Sequence, residues 1–190
     1  MKKVTIVTLL VTAICLLQKA NAQSKMMGEE KTVSVGGAAM YPTKNIIENA
    51  INSKDHTTLV AAVKAAGLVE TLESSGPFTV FAPTNEAFNK LPRGTVETLL
   101  KPENKSTLTQ ILTYHVISGR LDSRELMNRI KAGNGSTELK TVEGGSIWIM
   151  KKGNTLWLKD EKGNLAKMTI KDVYQSNGVI HVIDTVIMPK

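Results

Sequence analysis

Apolar side chains recur at helical spacing through the first half of the folded chain. Ile46, Ile47, Ala50 and Ile51 share one face of a helix that Thr43 can cap; Leu59, Val60, Val63 and Ala66 share a face of a second, which Gly67 is placed to end. Leu68, Val69 and Leu72 prolong that face until Ser74-Ser75-Gly76-Pro77 breaks it. Phe78-Thr79-Val80-Phe81 then predicts a short buried strand, and Pro83, which has no N–H, closes it. Thr84 caps a helical turn from Glu86 to Leu91, stopped by Pro92. Val96, Leu99 and Leu100 predict another short helix. Leu108, Ile111, Leu112 and His115 or Val116 predict a longer one, after which the chain straightens over Tyr114 to Ile117. Asp122 with Glu125 three residues on reads as a capping box for a helix bearing Leu126, Met127 and Ile130.

Beyond Gly133-Asn134-Gly135 the period shortens. Leu139 to Val142, Ile147 to Met150, Thr155 to Lys159, Leu165 to Val173 and Val179 to Ile187 predict strands, joined by turns such as Lys152-Gly153-Asn154 and Lys162-Gly163-Asn164. Helices first and a mostly antiparallel sheet afterwards place the chain in the α+β class.

The start of the chain has a different character. Lys2 and Lys3 precede an apolar run from Val4 to Leu17, too short to span a bilayer as a helix, and Ala20-Asn21-Ala22 supplies small residues where a signal peptidase reads. Residues 1–22 therefore read as a secretory signal peptide cut before Gln23, and the mature chain keeps no transmembrane segment. Residues 23–42 mix Lys, Glu, Gly and Met without sustained period and read as a flexible tether, leaving 43–190 as one domain. Cys15 leaves with the signal, so the exported product has no thiol, and Ile14 before it does not suit a lipoprotein signal. Cleavage removes three lysines and no acid, lowering the net charge from +7 to +4. Basic residues are scattered and aromatics are few, which excludes the charged stripe and stacking platform of a nucleic-acid binder.

Catalytic chemistry has no motif to stand on. The chain carries no Gly-x-Ser-x-Gly, Ser-x-x-Lys, His-Glu-x-x-His or phosphate-loop signature. His56, His115 and His181 are far apart and lack a ligand at helical spacing, so neither a metal nor a cofactor is expected. Asn104-Lys105-Ser106 and Asn134-Gly135-Ser136 fit the N-glycosylation pattern and suit exposed loops.

Three stretches together resemble the fasciclin (FAS1) domain. Phe78-Thr79-Val80-Phe81-Ala82-Pro83-Thr84-Asn85-Glu86-Ala87-Phe88 is similar to the first family motif. Asn177-Gly178-Val179-Ile180-His181-Val182-Ile183-Asp184, with Val186-Ile187-Met188-Pro189, is similar to the second, and Tyr114-His115 lies where the family has its Tyr-His pair. The resemblance implies a small secreted single-domain bacterial fasciclin protein, with short helices packed around a β-wedge and the two motifs as neighbouring central strands. It further implies a non-catalytic module for cell adhesion or for contact with extracellular matrix or envelope polymers, in the periplasm or at the cell surface. Its partner would be a cell-surface or envelope protein or glycan, and the domain a monomer or weak self-associator.

The family associates Tyr114, His115 and the flanking Val116 and Ile117 with adhesion, although a histidine at an apolar helix end equally suits a hydrogen-bonded core residue. Phe78, Phe81, Pro83, Thr84, Asn85, Phe88, Asn177, Gly178, His181 and Asp184 read as structural. His181 and Asp184, three apart on a strand, point to opposite faces and make no local catalytic pair. The chain has Arg93-Gly94-Thr95 rather than Arg-Gly-Asp, which speaks against integrin binding. The alternative is a carrier of an apolar lipid or carotenoid, as some fasciclin proteins are, with Trp148, Met150, Trp157 and Met168 lining a groove.

Overall fold

A computed structural model describes residues 32–190, so the segment expected to be a signal peptide, 1–22, and the first part of the expected tether lie outside the described residues. A hairpin, β1 (Val33–Val35) and β2 (Ala38–Met40), leads into three helices, α1 (Ile46–Ala50), α2 (Thr57–Ala66) and α3 (Val69–Glu73). Strand β3 (Phe78–Pro83) precedes α4 (Asn85–Asn89), α5 (Thr95–Leu99) and α6 (Lys105–Tyr114). After β4 (Val116–Ser118) and α7 (Ser123–Ala132) come β5 (Ser136–Lys140), β6 (Ser146–Lys152), β7 (Thr155–Lys159), β8 (Leu165–Gln175) and β9 (Gly178–Ile183). The fold is α+β, with a seven-stranded sheet in the order β4-β3-β9-β8-β7-β6-β5. Its pairs are antiparallel except β3 with β9, where Phe78 lies opposite Gly178 and Pro83 opposite Ile183.

The local signals explain most element ends, with some differences; the strand expected over Leu139 to Val142, for instance, is Ser136–Lys140, set by its pairing with β6. Asn45, not Thr43, caps α1: its side chain accepts from the Glu48 amide at 2.9 Å while the Glu48 carboxylate accepts from the Asn45 amide at 2.7 Å. Strand β3 runs through Pro83 because the amides facing β9 belong to alternate residues; Thr84 N–H donates to the Ile183 carbonyl at 3.2 Å, and the missing N–H of Pro83 falls on the side of β4, which ends before reaching it. Strand β9 stops at Ile183 instead of Ile187, and Val186 and Ile187 are buried as irregular chain. The segment expected to be a tether is in part structured: β1 and β2 pair across Gly36-Gly37, both at positive φ (58° and 77°), the signature of a type I′ turn. Val35 and Met40 are each only 3% exposed and join the core, a pattern too short to register as a period.

The two motif strands, β3 and β9, are neighbours as expected but stand second and third from one edge of the sheet rather than at its centre, and two apolar cores flank them. One, under α1, α2 and α6, takes Val80 and Ala82 from β3 and Ile180 and Val182 from β9; the other, between α7 and the β5–β8 meander, takes Phe81 and Ile183. Successive side chains of a strand alternate faces, so β3 and β9 form the wall between the cores. Burying a full apolar side chain contributes roughly 1.5–3 kcal/mol, so this wall, covered on both faces, contributes to both cores at once.

Candidate binding site

The segment Tyr114–Ile117 crosses between the two cores and is buried throughout. Tyr114 and Ile117 belong to the meander core and Val116 to the helical core. Tyr114 has no exposed surface; its hydroxyl donates to the Ser146 carbonyl at 2.6 Å and accepts from the Glu161 amide at 3.2 Å, and burial pushes the phenol up to about 12. His115, 3% exposed, places Nδ1 2.8 Å from the Ile111 carbonyl and Nε2 3.2 Å from the Ile187 amide. A carbonyl can only accept and an amide N–H only donate, so Nδ1 carries the proton and Nε2 is the acceptor. Burial lowers this imidazole to about 4, keeping it neutral. None of the four residues associated with adhesion presents its side chain at the surface; they act as a frame.

That frame delivers an exposed corner. Ser118 and Arg120 are exposed, and the turn they form is fastened from below by the two motif strands. The buried Thr79 hydroxyl donates to the Gly119 carbonyl at 2.7 Å and accepts from the Leu121 amide at 2.8 Å. His181, with no exposed surface, sets Nε2 2.8 Å from the Leu121 carbonyl and Nδ1 3.3 Å from the Asp172 amide, again a single neutral tautomer, and its pKa is lowered by burial. The ring stacks on Phe81 with centroids 5.8 Å apart. From above, the Arg120 guanidinium donates to the carbonyls of Gln175 (3.0 Å) and Ser176 (3.1 Å). Asp122 caps α7 by accepting from the Glu125 amide at 2.8 Å and accepts from the Tyr174 hydroxyl at 3.2 Å; the Glu125 bond holds its carboxyl below its usual value. Glu125 pairs with Arg129 at 2.8 Å rather than closing a reciprocal box.

Beside this corner lies a polar groove of about 700 Å³ between the corner, α7 and β5, with Arg120, Asp122, Arg124, Asn128, Arg129 and Lys140 among its walls. Both charge signs are present, and its floor cannot move without breaking bonds to β3 and β9.

The other motif residues hold the scaffold. Asn177 is 6% exposed; its Oδ1 accepts from the Ile46 amide at 3.1 Å and its Nδ2 donates to the carbonyls of Leu72 (2.7 Å) and Ser74 (2.9 Å), joining the start of α1 to the end of α3. A Cβ on Gly178 would collide with the Phe78 carbonyl oxygen, so the pairing of β9 with β3 requires glycine at this position. Asn85 accepts from the Thr58 amide at 3.0 Å and donates to the Lys54 carbonyl at 2.9 Å, capping α2 from a neighbouring helix. Thr84 caps α4, accepting from the Ala87 amide at 3.2 Å, and Phe88 is buried. Asp184, just past the end of β9, accepts from the Lys167 amide at 2.8 Å.

Sequence reasoning missed several residues that do comparable work. Asp160, 1% exposed, accepts from the amides of Lys162 (3.0 Å), Asn164 (2.7 Å) and Met188 (3.0 Å), tying the C-terminal segment to a turn. Asp172, at φ 60°, holds the start of α7 through the Ser123 amide at 2.6 Å. Asn49 and Gln175 pair in the interior. An Asp-x-x-Gly-Asn turn is visible in the sequence at Asp160; the partners of Asp172 and Gln175 are not. Of the two glycosylation triplets, Asn134 lies on an exposed turn, whereas Asn104 is half-buried and spends its Nδ2 on the Thr98 carbonyl at 2.7 Å.

The groove expected for an apolar ligand does not form. Met168 faces the meander core at 2% exposure, while Trp148, Met150 and Trp157 lie on the opposite face of the sheet, because Leu158 pairs with Ala166 and Trp157 with Lys167. An apolar cavity of about 80 Å³ does lie under the helices, lined by Ile47, Leu59, Val63, Val80 and Leu112 among others. A cavity of roughly 150 Å³ holds one benzene, so this one admits neither a lipid nor a carotenoid without opening. His56 borders it with Nδ1 2.9 Å from the Ser53 hydroxyl; its Nε2 is the one buried side-chain polar atom without a partner among the described residues.

Comparison with known proteins agrees with the motifs and the topology. The Fasciclin domain profile matches residues 54–189. A Synechocystis protein, sll1483, is 46% identical over 170 residues, covering 88% of this chain and 86% of its own. Immunogenic protein MPB70 of Mycobacterium bovis is 37% identical over 161 residues (82% and 73%). Transforming growth factor-beta-induced protein ig-h3 of Sus scrofa is 31% identical over 179 residues, 93% of this chain but 24% of that much longer one. The solved FAS1 domain pair of the insect cell adhesion molecule Fasciclin I superposes with a TM-score of 0.68 at 17% identity, covering 82% of this chain and 57% of that one. With the domain profile matching most of its length and its two motif strands paired side by side as β3 and β9, the chain belongs to the fasciclin domain family.

Proposed function

We propose that the chain is a secreted, non-catalytic binding module, exported by cleavage of residues 1–22, that attaches to cell-surface or envelope components through the polar groove beside Ser118–Asp122. The observation that carries this reading is the pairing of a buried frame with a fixed, exposed corner. Preorganised polar groups lose little freedom on binding, which favours affinity. Membership of a family that includes an insect cell adhesion molecule supports the adhesion class. Support for a non-catalytic role comes from the histidines: His115 and His181 are committed to backbone groups, and His56 is buried with Nδ1 held at the Ser53 hydroxyl. No helix among the described residues is long and apolar enough to cross a membrane.

The test is binding of the labelled protein to its source cells and isolated envelope fractions across a salt titration. Saturable binding, weakened about tenfold or more by Arg124→Glu with Asn128→Ala, is the expected result. Absence of saturable binding at every salt concentration would contradict the reading.

A further inference from the structure

The outer face of the meander carries an arrangement that neither the fold nor the groove requires. Both tryptophans of the chain lie there, on adjacent strands. Trp148 pairs with Lys159 and Trp157 with Met150, which places the two tryptophans at diagonal positions across β6 and β7, with their backbones roughly 7–8 Å apart. Both are half-buried instead of joining the core, although Ile147, Ile149, Leu156 and Leu158 on the same strands are buried. Lys159 Nζ sits 5.1 Å above the Trp148 ring and Lys152 Nζ 5.3 Å above the Trp157 ring; Lys167 stands opposite Trp157 on β8. None of these three lysines belongs to an ion pair among the described residues, whereas the acid of the face, Glu138, is already matched by Lys140 at 3.5 Å.

We infer that this face is a second binding surface, for a carboxylate-bearing polysaccharide. An indole face is a flat, electron-rich apolar surface that suits the C–H face of a sugar ring, and the unmatched ammoniums supply complementary charge for carboxylates beside it. The lysines parked over the rings keep the indoles spaced and swing to an incoming anion, since their stems are flexible. A polymer of sparse charge fits better than a nucleic acid: three unmatched ammoniums spread over β6, β7 and β8 fall far short of duplex DNA, with one phosphate about every 1.7 Å. The two surfaces meet at β5, where Glu138 and Lys140 also line the groove, but neither tryptophan and none of the three lysines is a groove residue, so the inference stands or falls independently of the adhesion reading.

Because the chain's two tryptophans are both on this face, intrinsic fluorescence reports on it directly. The protein is titrated with polygalacturonate, with neutral dextran and with oligothymidylate, and the variants are followed by calorimetry. The expected result is a saturable, salt-sensitive fluorescence change with polygalacturonate and none with dextran. Affinity falls about tenfold or more in Trp157→Ala and in the combined Lys152→Gln, Lys159→Gln and Lys167→Gln variant, the latter melting like the parent. Arg124→Glu with Asn128→Ala, in the groove, leaves polysaccharide binding intact. The inference is overturned by no saturable change with polygalacturonate, by dextran binding as tightly, by oligothymidylate binding more tightly, or by the lysine variant binding like the parent.

Discussion

The amide of Ile187 donates to Nε2 of His115 across 3.2 Å, joining the end of α6 to the chain that follows the last strand. Because Nδ1 of the same ring is committed to the Ile111 carbonyl, the imidazole has one usable protonation state, and a second proton would set an N–H against an N–H. The histidine of the Tyr-His pair is thereby a fastening between elements 72 residues apart.

Stability should therefore depend on pH in a defined window. His115 has a folded pKa of about 4 against an ordinary 6.5, and burial depresses His181 and His56 in the same direction. Between these values the unfolded chain binds more protons, so stability rises with pH there: it is fully present above about 6.5 and is lost as pH falls toward 4. Urea midpoints at pH 7.5, 6.0 and 5.0, above most carboxylate titration, check this. The midpoint should fall with each step, and a flat profile would mean the imidazoles are not held neutral.

His115→Ala removes a buried ring and leaves the Ile187 amide without its acceptor. The expected cost is about 3 kcal/mol, from lost packing and an unsatisfied donor, and melting should drop by roughly 6–12 °C for a domain of this size. Differential scanning calorimetry reads it, and a drop under about 2 °C would contradict the assigned fastening.

Tyr114→Phe deletes one hydroxyl with two backbone partners and should cost about 1–2 kcal/mol at neutral pH. The phenol is raised to about 12 from 10, so its contribution is fully present below pH 10 and is lost as pH rises from 10 to 12. Alkaline unfolding curves for the parent should steepen in that window relative to the Phe variant.

Asn177→Ala breaks three bonds between β9, α1 and α3 at once. A loss of about 2–4 kcal/mol by urea unfolding is expected, and Asn177→Asp should be nearly as damaging, since it keeps the acceptor for Ile46 but no donor for Leu72 or Ser74. An Asp variant as stable as the parent would show that the donors contribute little.

The sequence carried the fold further than it carried the site. Caps at Thr84 and Asp122, the αL stop at Gly67 and the turns around Gly153 and Gly163 are local devices, and each stands where its residue type and neighbours place it. Thr43 lost the cap of α1 to Asn45 because only Asn45 closes a reciprocal pair with Glu48, a distinction of two residues that periodicity does not resolve. The β1–β2 hairpin escaped because three-residue strands carry almost no alternation. The motif residues stood out in the sequence, but their partners did not: Thr79 reaching Gly119 and Leu121, or His181 reaching Leu121, depends on contacts spanning 40 to 60 residues. The groove was invisible for the same reason, since α7 and β5 meet the corner only in three dimensions.

The most direct test of the account separates frame from surface. Binding to source cells is measured side by side for the parent, for Tyr114→Phe and His115→Ala at a temperature where calorimetry shows each folded, and for Arg124→Glu with Asn128→Ala. The account predicts that the two frame variants bind within about twofold of the parent while the groove variant loses about tenfold or more. Folded frame variants that lose binding while the groove variant retains it would contradict the account and return recognition to the Tyr114–Ile117 segment itself.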